Sequence, residues 1–176
     1  SVSRGLGDVY KRQNIFKEAS MEIWDIYDKD RNNTGMTVVR GEKLKEGDYH
    51  LVIHAWIVNS DGKLLIQKRA KTVKAWPNMW AMTGGSAIKG ENSYEACLRE
   101  VSEELGIKPD MENAKVAFTS LRQDKITDVW IIRQNFSVNQ CRLQKEEVSD
   151  VKWVSKGEIK KLIEQKKFIN YMYIDK

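Results

Sequence analysis

Three glutamates on one predicted helix are the residues of this sequence best suited to carry chemistry. Glu100, Glu103 and Glu104 lie in the stretch GSAIKGENSYEACLREVSEELGI, which covers residues 85–107. Carboxylates at this spacing share one helix face and repel one another, and the helix dipole disfavours negative charge near the C-terminus. A divalent cation such as Mg²⁺, which prefers oxygen ligands, would relieve this repulsion. The alternative explanation for the acids alone is a solvent-exposed acidic face.

The residues around these acids favour a helix that follows a glycine-containing loop. Asn92 or Ser93 is suited to the N-cap, and Glu95 stands three residues beyond Asn92, as in a capping box. Gly106 supplies a C-terminal stop, so a helix of roughly three to four turns is expected. Apolar residues at helical spacing predict a core-facing stripe opposite the acids, made of Tyr94, Leu98, Val101 and Leu105.

The complete pattern is more specific than its acids alone. In order, it contains Gly85, Glu91, Arg99-Glu100-Val101, Glu103-Glu104 and Gly106-Ile107. This pattern resembles the signature of the Nudix hydrolases, GX5EX7REUXEEXGU with U aliphatic, without a departure. A motif of this length is far more specific than a short glycine pattern.

The resemblance implies both a fold and an activity. The fold would be an α/β/α sandwich around a mixed β-sheet, with a catalytic loop-helix-loop. The activity would be Mg²⁺- or Mn²⁺-dependent hydrolysis of a diphosphate bond in a nucleoside diphosphate linked to another group. We therefore expect a small-molecule diphosphate as the partner of this chain.

The resemblance also implies roles for individual residues. Glu100, Glu103 and Glu104 would be metal ligands, and one of them would also be the base that activates water. The carbonyl of Gly84 or Gly85 would complete the inner shell of the metal. The orienting ion pair would be formed by Arg99 and Glu91.

The segment before the motif resembles the superfamily branch that includes isopentenyl-diphosphate isomerase. The resemblance rests on His50, the strand pair that follows it, and Lys74-Ala75-Trp76-Pro77 with Trp80. These isomerases place a catalytic cysteine and a metal-binding histidine where this chain has Gly84-Gly85-Ser86, and another metal histidine near Lys43. A hydrolase therefore ranks above an isomerase, which stays the alternative.

Basic and aromatic residues before the motif are candidates for contacting a substrate. The basic cluster consists of Lys68, Arg69, Lys71 and Lys74. It suits a substrate phosphate, although a solvated strand end explains it equally well. Trp76 or Trp80 suits stacking on a base, although aromatic residues beside a proline commonly pack into a core. The substrate candidates are thus Arg69, Lys74 and Trp80.

Two acids and two histidines outside the helix are of residue types that can bind a metal or take part in catalysis. Glu147 precedes Trp153 by the interval at which some family members carry an additional metal-binding glutamate, although an exposed loop acid is as well supported. Asp128 is a weaker candidate, on the strand where the isomerases carry an acid. His50 and His54 are interpreted as core or hydrogen-bonded residues.

The remaining chain predicts strands and one closing helix. Strands are predicted over residues 50–59, 63–69, 115–123, 126–137 and 148–154, with an Asp61-Gly62 turn between the first two. Residues 21–35 predict a short strand and then a turn-rich segment. Residues 155–168 predict an amphipathic helix with a capping box formed by Ser155 and Glu158, and with Ile159, Leu162 and Ile163 buried.

Length and composition favour one globular domain over residues 21–176. The chain has 176 residues, of which 41% are hydrophobic and 31% charged, enough for a substantial core. No apolar run approaches the roughly twenty residues that cross a bilayer, and no signal-peptide pattern is present. Cys97 and Cys141 are too few for a disulfide scaffold, so a reducing cytoplasm is expected. Residues 1–20 lack periodicity and precede Met21, so we interpret them as not native.

The net positive charge is modest and does not by itself indicate the kind of partner. Thirty basic and 25 acidic residues give a net charge of +5, which suits anionic substrates as well as nucleic acid. No recognition-helix pattern favours nucleic acid. The sequence therefore predicts a metal-dependent diphosphate hydrolase. A non-catalytic nucleotide-binding module is a further alternative. A homodimer is expected only by analogy.

Overall fold

The computed structural model describes residues 21–173. The interpretation of residues 1–20 as not native lies outside the described residues. The domain boundary at residue 21 therefore stays a prediction. None of the described helices is long and apolar enough to cross a membrane.

Strand β3 (His50–Val58) is the centre of a seven-stranded mixed sheet in the described part of the chain. On one side it pairs in parallel with β8 (Lys125–Arg133), which pairs antiparallel with β7 (Ala114–Arg122). On its other side β3 pairs antiparallel with β6 (Thr83–Ser86). The strand that leads into the predicted site therefore lies directly beside the most buried strand of the sheet.

Strand β4 (Leu64–Arg69) meets β3 only at the pair Val58 and Leu64. Beyond that point it lies between β5 (Trp80–Ala81) and β9 (Val148–Val154), antiparallel to both. The predicted Asp-Gly turn joins β3 and β4, with Gly62 at φ +71°. The strands bend away from one another past this turn.

Two α-helices cover opposite faces of the sheet. Helix α1 (Ser93–Leu105) packs on the face that includes Ile53 and Ile57 of β3. Helix α2 (Lys156–Glu164) places Ile159 in a second cluster with Trp56 on the other face. Two short 3₁₀ turns cover Met111–Asn113 and Val138–Gln140. The predicted α/β/α arrangement around a mixed sheet is confirmed.

The caps of α1 agree with the sequence, but its buried face does not. Asn92 is the N-cap of a complete capping box with Glu95, and Gly106 ends the helix at φ +64°. Tyr94 is 46% exposed, so its place in the predicted stripe was wrong. The buried face instead consists of Ser93, Ala96, Cys97, Val101, Glu104 and Leu105.

A two-stranded hairpin precedes the sheet and was only half predicted. Strand β1 (Ile23–Tyr27) pairs antiparallel with β2 (Asn33–Val39). The sequence predicts a turn-rich segment where β2 begins. Its first five residues are exposed and mostly small or polar, so the sequence carries no apolar alternation there. The pairing with β1 supplies the strand.

An ion pair between the exposed Arg31 and the buried Asp128 attaches the turn of this hairpin to the sheet. Arg31 Nη1 donates to Asp128 Oδ1 at 2.7 Å, and Thr119 Oγ1 donates to the same oxygen at 2.6 Å. Burial alone would raise the pKa of Asp128, but these hydrogen bonds outweigh it and hold the pKa below its usual value. Asp128, the weaker catalytic candidate, is thus engaged in joining two parts of the fold.

Replacing Arg31 with alanine would leave the Asp128 carboxylate buried without its cationic partner. We expect Arg31→Ala to lower the free energy of unfolding by roughly 1–3 kcal/mol at neutral pH, measured by urea denaturation. Lys29→Ala is the control in the same turn, because its ion pair with Asp30 is exposed and should leave the midpoint unchanged. Equal midpoints for the two variants would show that the Arg31 pair contributes no stability.

Candidate active site

At one edge of the site, strand β6 places two glycines on the N-terminal side of α1. Gly84 lies opposite His54 in the β3–β6 ladder, and Gly85 lies opposite Ile53. A Cβ atom at Gly85 would overlap the Glu100 carboxylate. The close approach of this carboxylate to the backbone therefore requires glycine at position 85.

Arg99 fastens the loop before α1 to the helix. Its Nε donates to Glu91 Oε1 at 2.6 Å and its Nη2 donates to Glu91 Oε2 at 3.0 Å. Nη2 also donates to the carbonyl of Ser86 at 3.1 Å, and Glu91 Oε2 accepts from the amide of Ile88 at 3.0 Å. The bidentate pair therefore connects β6, the loop and the helix.

Arg99 also contacts two of the three acids. Its Nη1 donates to Glu100 Oε1 at 3.0 Å and to Glu103 Oε2 at 3.2 Å. One guanidinium thus faces three carboxylates. It cannot neutralise all of them, so the cluster keeps an excess of negative charge.

Glu104 lies in a different environment from Glu103. Its side chain is buried and Oε2 accepts from Gln67 Nε2 at 2.7 Å, while Gln67 Oε1 accepts from Thr83 Oγ1 at 3.1 Å. Glu103 is exposed. The expectation that all three acids lie opposite the apolar stripe was therefore wrong for Glu104, because the buried face of α1 includes it.

Burial strongly perturbs the two inner carboxyl groups. It raises the pKa of Glu100 to about 7, although Arg99 opposes the shift. Burial, together with the charge of Glu100, raises the pKa of Glu104 to about 8, against the opposing effects of Gln67 and Arg69. Removing carboxylates from water disfavours their charged form unless a cation compensates.

The oxygen donors of this site are the ligand type that a divalent cation such as Mg²⁺ prefers. The site offers three carboxylates beside backbone carbonyls, and a single guanidinium, that of Arg99, is shared between two of them. Among residues 21–173, no three acidic, histidine or cysteine side chains already converge on one point as metal ligands would. Glu100 and Glu103 are instead held by Arg99, and Glu104 by Gln67.

Glu147 lies near the C-terminal part of α1. Its charge contributes to the raised pKa of Glu104. The loop that carries it is attached to the helix, because the Gln144 amide donates to the Glu104 carbonyl at 3.1 Å. The carbonyl of Glu147 accepts from the amide of Ala70 at 2.8 Å. The structure therefore brings this predicted acid toward the three glutamates.

Two of the three substrate candidates share a cleft next to this centre. Arg69 and Lys74 line a cavity of about 650 Å³ together with Arg40, Lys145 and Glu147. Trp80 is absent from its lining. The Trp80 ring instead packs under the ammonium of Lys152, 4.4 Å from the ring centroid, and belongs to the cluster beneath α2.

Some neighbours of the site gave little or no sequence signal. Gln67 was visible only as a polar residue within an apolar strand. Tyr171 is half-buried, and the charges of Arg69 and Glu104 both act on its hydroxyl. Tyr173 OH lies 2.6 Å from His54 Nδ1, and burial lowers the pKa of His54 to about 4. His54 is therefore neutral near pH 7, as expected for a hydrogen-bonded core histidine.

A sequence profile of the NUDIX domain matches residues 48–173. The chain belongs to the Nudix hydrolase family. It is 44% identical over 156 residues to an uncharacterized Nudix hydrolase of Listeria monocytogenes, which covers 88% of this chain and 92% of the relative. It is also 26% identical over 119 residues to an isopentenyl-diphosphate Delta-isomerase of Shigella boydii, which covers 62% of this chain and 64% of that enzyme. Both resemblances read from the sequence are confirmed.

Solved structures show the same fold. The chain superimposes on DR0079 from Deinococcus radiodurans with a TM-score of 0.73 at 19% identity, covering 88% of this chain and 96% of that one. A second match is the NUDIX domain of Shewanella oneidensis NrtR complexed with ADP ribose, with a TM-score of 0.52 at 20% identity, covering 64% and 77% respectively. Nudix hydrolases generally use divalent metal ions, in keeping with the oxygen-rich donor set of this Nudix protein.

The raised pKa values predict how the metal-free protein responds to pH. The folded state holds protons on Glu100 and Glu104 up to about pH 7 and 8, whereas an unfolded glutamate loses its proton near pH 4.3. Stability contributed by these protonated groups is therefore lost as the pH rises through the folded pKa values. In EDTA, raising the pH from about 5 to 8.5 should lower the unfolding free energy of wild type. We expect the unfolding free energy of Glu104→Gln to fall by roughly 1–3 kcal/mol less over the same range.

Urea denaturation at several pH values provides the measurement. Glu164→Gln makes the same substitution at the exposed end of α2, so its pH profile should follow that of wild type. A Glu104→Gln profile parallel to wild type would contradict the assignment of a raised pKa to Glu104.

Proposed function

We propose that this Nudix protein is a Mg²⁺- or Mn²⁺-dependent hydrolase of diphosphate bonds. Its substrate would be a nucleoside diphosphate linked to another group, or a related small diphosphate. The observation that carries this proposal is the cluster of carboxylates beside Gly85. Glu104 is buried against the neutral amide of Gln67, and Glu100 is half-buried and shares one guanidinium, that of Arg99, with Glu103. Such a group is costly to fold unless a cation binds to it.

Glu100, Glu103 and Glu104 would hold the cation, with Glu147 and the carbonyl of Gly84 or Gly85 as further oxygen donors. A bound divalent ion polarises a phosphoryl oxygen and lowers the pKa of water. Glu100 and Glu103 would exchange their hydrogen bonds with Arg99 for this interaction. Arg99 would keep its bidentate bond to Glu91 and so hold the loop in place.

One of the three helix acids would accept the proton of the attacking water. A carboxylate within hydrogen-bond reach of the water suits this role, because its ionised form can take a proton. Gln67 fixes one oxygen of Glu104 and so limits the orientations of that carboxylate. The acids thereby combine charge with defined positions, which general base catalysis requires.

The basic cleft supports an anionic substrate. Arg69 and Lys74 would bind its phosphates, because a guanidinium and an ammonium both form charge-assisted hydrogen bonds with phosphate oxygens. The structural relative that was solved with ADP ribose supports a nucleotide-linked compound. The cleft does not select among nucleotides, nucleotide sugars and dinucleotides.

An isomerase related to isopentenyl-diphosphate isomerase is the second candidate, because such an enzyme is among the sequence relatives. The chain has Gly84-Gly85-Ser86 where those isomerases place their catalytic cysteine and a metal histidine. Incubation with isopentenyl diphosphate separates the two reactions, since isomerisation releases no phosphate. Binding of a nucleotide without turnover would instead indicate a non-catalytic module.

Glu104→Gln tests the hydrolase. We expect wild type to release phosphate, pyrophosphate or a nucleoside monophosphate from at least one member of a panel of diphosphates, and only with Mg²⁺ or Mn²⁺. Glu104→Gln should lower kcat/KM by about 10²- to 10⁴-fold. Glu164→Gln should behave as wild type. Absence of turnover on every diphosphate, or full activity in Glu104→Gln, would overturn the proposal.

Gly85→Ala tests the contact between β6 and the Glu100 carboxylate. The added methyl group would displace this flexible side chain, so we expect kcat/KM to fall by about 10- to 100-fold. The urea midpoint should change little. In Gly84→Ala, by contrast, the methyl group would lie 2.6 Å from the Ile53 carbonyl oxygen within the sheet, and stability should fall by roughly 1–3 kcal/mol. The reverse pattern would show that Gly84, rather than Gly85, adjoins the acids.

A further inference from the structure

The β1–β2 hairpin lies outside the segment matched by the NUDIX profile, yet it contacts the loop of the active site. The Lys89 amide donates to the Ile23 carbonyl at 2.7 Å, and the Gly90 amide donates to Asp25 Oδ2 at 2.7 Å. These two residues immediately precede Glu91, the partner of Arg99. The hairpin therefore forms part of the structure that holds the motif in position.

The chain that leaves the hairpin also reaches the substrate cleft. Arg40 follows the last residue of β2 and lines the same cavity as Arg69 and Lys74. Its Nη1 donates to Glu22 Oε2 at 2.8 Å, and its amide donates to the Glu22 carbonyl at 2.8 Å. The charge of Glu22 acts on Glu100. The Arg40–Glu22 pair thus lies near both the acidic centre and the cleft.

The lining of the cleft has four basic and two acidic side chains, so it carries a net positive charge. Its charged lining residues are Arg40, Arg69, Lys74, Lys145, Glu146 and Glu147. Glu147 faces the acidic centre, since its charge acts on Glu104, and Arg69 also acts on Glu104. Gln67, two residues before Arg69 on the same strand, binds Glu104, so Arg69 lies on the side of the cleft toward the acidic centre. Arg40, Lys74 and Lys145 remain for a group beyond the diphosphate, with Glu146 as the acid among them.

We infer that Arg40 forms one wall of the substrate cleft and that the preferred substrate carries a phosphate monoester beyond the scissile diphosphate. This inference rests on the proposed hydrolase function and names its substrate class. A phosphate monoester carries up to two negative charges and three acceptor oxygens, which a guanidinium can bind through two hydrogen bonds.

Arg40 is free to change partners at little cost. Its side chain is 63% exposed and that of Glu22 is 40% exposed. Ion pairs as exposed as this one contribute little to stability. A substrate phosphate can therefore replace Glu22 as the partner of Arg40 without unfolding the hairpin.

The test compares ADP-ribose with ADP-ribose 1″-phosphate, which differ only in a distal phosphate and both yield AMP. We expect wild type to prefer the phosphorylated compound by about tenfold or more in kcat/KM. Arg40→Ala should raise KM for this compound by about 10- to 100-fold, and should raise KM much less for ADP-ribose, which lacks the distal phosphate. Arg40→Lys should retain part of the preference, because it keeps the charge but loses the bidentate geometry.

Two further measurements exclude a structural explanation. Lys29→Ala removes a lysine at the far end of the same hairpin and should keep the full preference. Calorimetric binding of ADP-ribose 1″-phosphate to Glu104→Gln should weaken when Arg40→Ala is added, which tests the contact without turnover. Unchanged thermal unfolding of Arg40→Ala would confirm that the hairpin remains folded; a lowered unfolding temperature would assign Arg40 a structural role instead.

The outcomes separate the inference from the function on which it rests. If AMP is released but Arg40→Ala affects both compounds equally, the inference is wrong and the hydrolase stands. If neither compound is cleaved while another diphosphate in the panel is, the inference is likewise wrong. If no diphosphate is cleaved at all, both proposals fail.

Discussion

The burial of two carboxylates on one helix is the constraint around which this structure is arranged. Glu100 and Glu104 lie on or beside the buried face of α1, where water cannot stabilise their charge. Isolated buried charges are too costly to persist, so they must be protonated, hydrogen-bonded or paired. Arg99 and Gln67 each meet part of this requirement. Together they leave part of the negative charge uncompensated. The site therefore favours a cation.

The rest of the fold determines where these carboxylates lie. β3 holds β6 in register, β6 brings Gly85 against Glu100, and the Glu91–Arg99 pair ties the intervening loop to α1. The last two of these links join residues within the motif. The contacts of Glu104 are different, because Gln67 belongs to β4 and is 37 residues away. The acid that is most deeply buried thus depends on the longest-range contact.

This division explains what the sequence could predict. The caps of α1, the strands β3, β4, β7, β8 and β9, and the Nudix motif depend on local pattern and were predicted with small errors at their ends. The burial of Glu104 was missed, because helical periodicity was read from Tyr94, an apolar residue that lies in solvent. Strand β2 was missed because its residues are exposed and its partner strand supplies the pairing. Arg40 gave no signal, since its place in the cleft depends on the packing of the hairpin.

The hairpin also shows how one catalytic arrangement can acquire different substrates. Glu100 and Glu103 are held by Arg99 within the motif, and Glu104 is held by Gln67 of β4. The hairpin packs against the outside of the loop through Asp25 and is fixed to the sheet through Arg31 and Asp128. These attachments hold Arg40 at the cleft. The residues that would recognise the distal group and those that would cleave the bond therefore lie on separate elements, and a substitution at Arg40 can alter the first without disturbing the second.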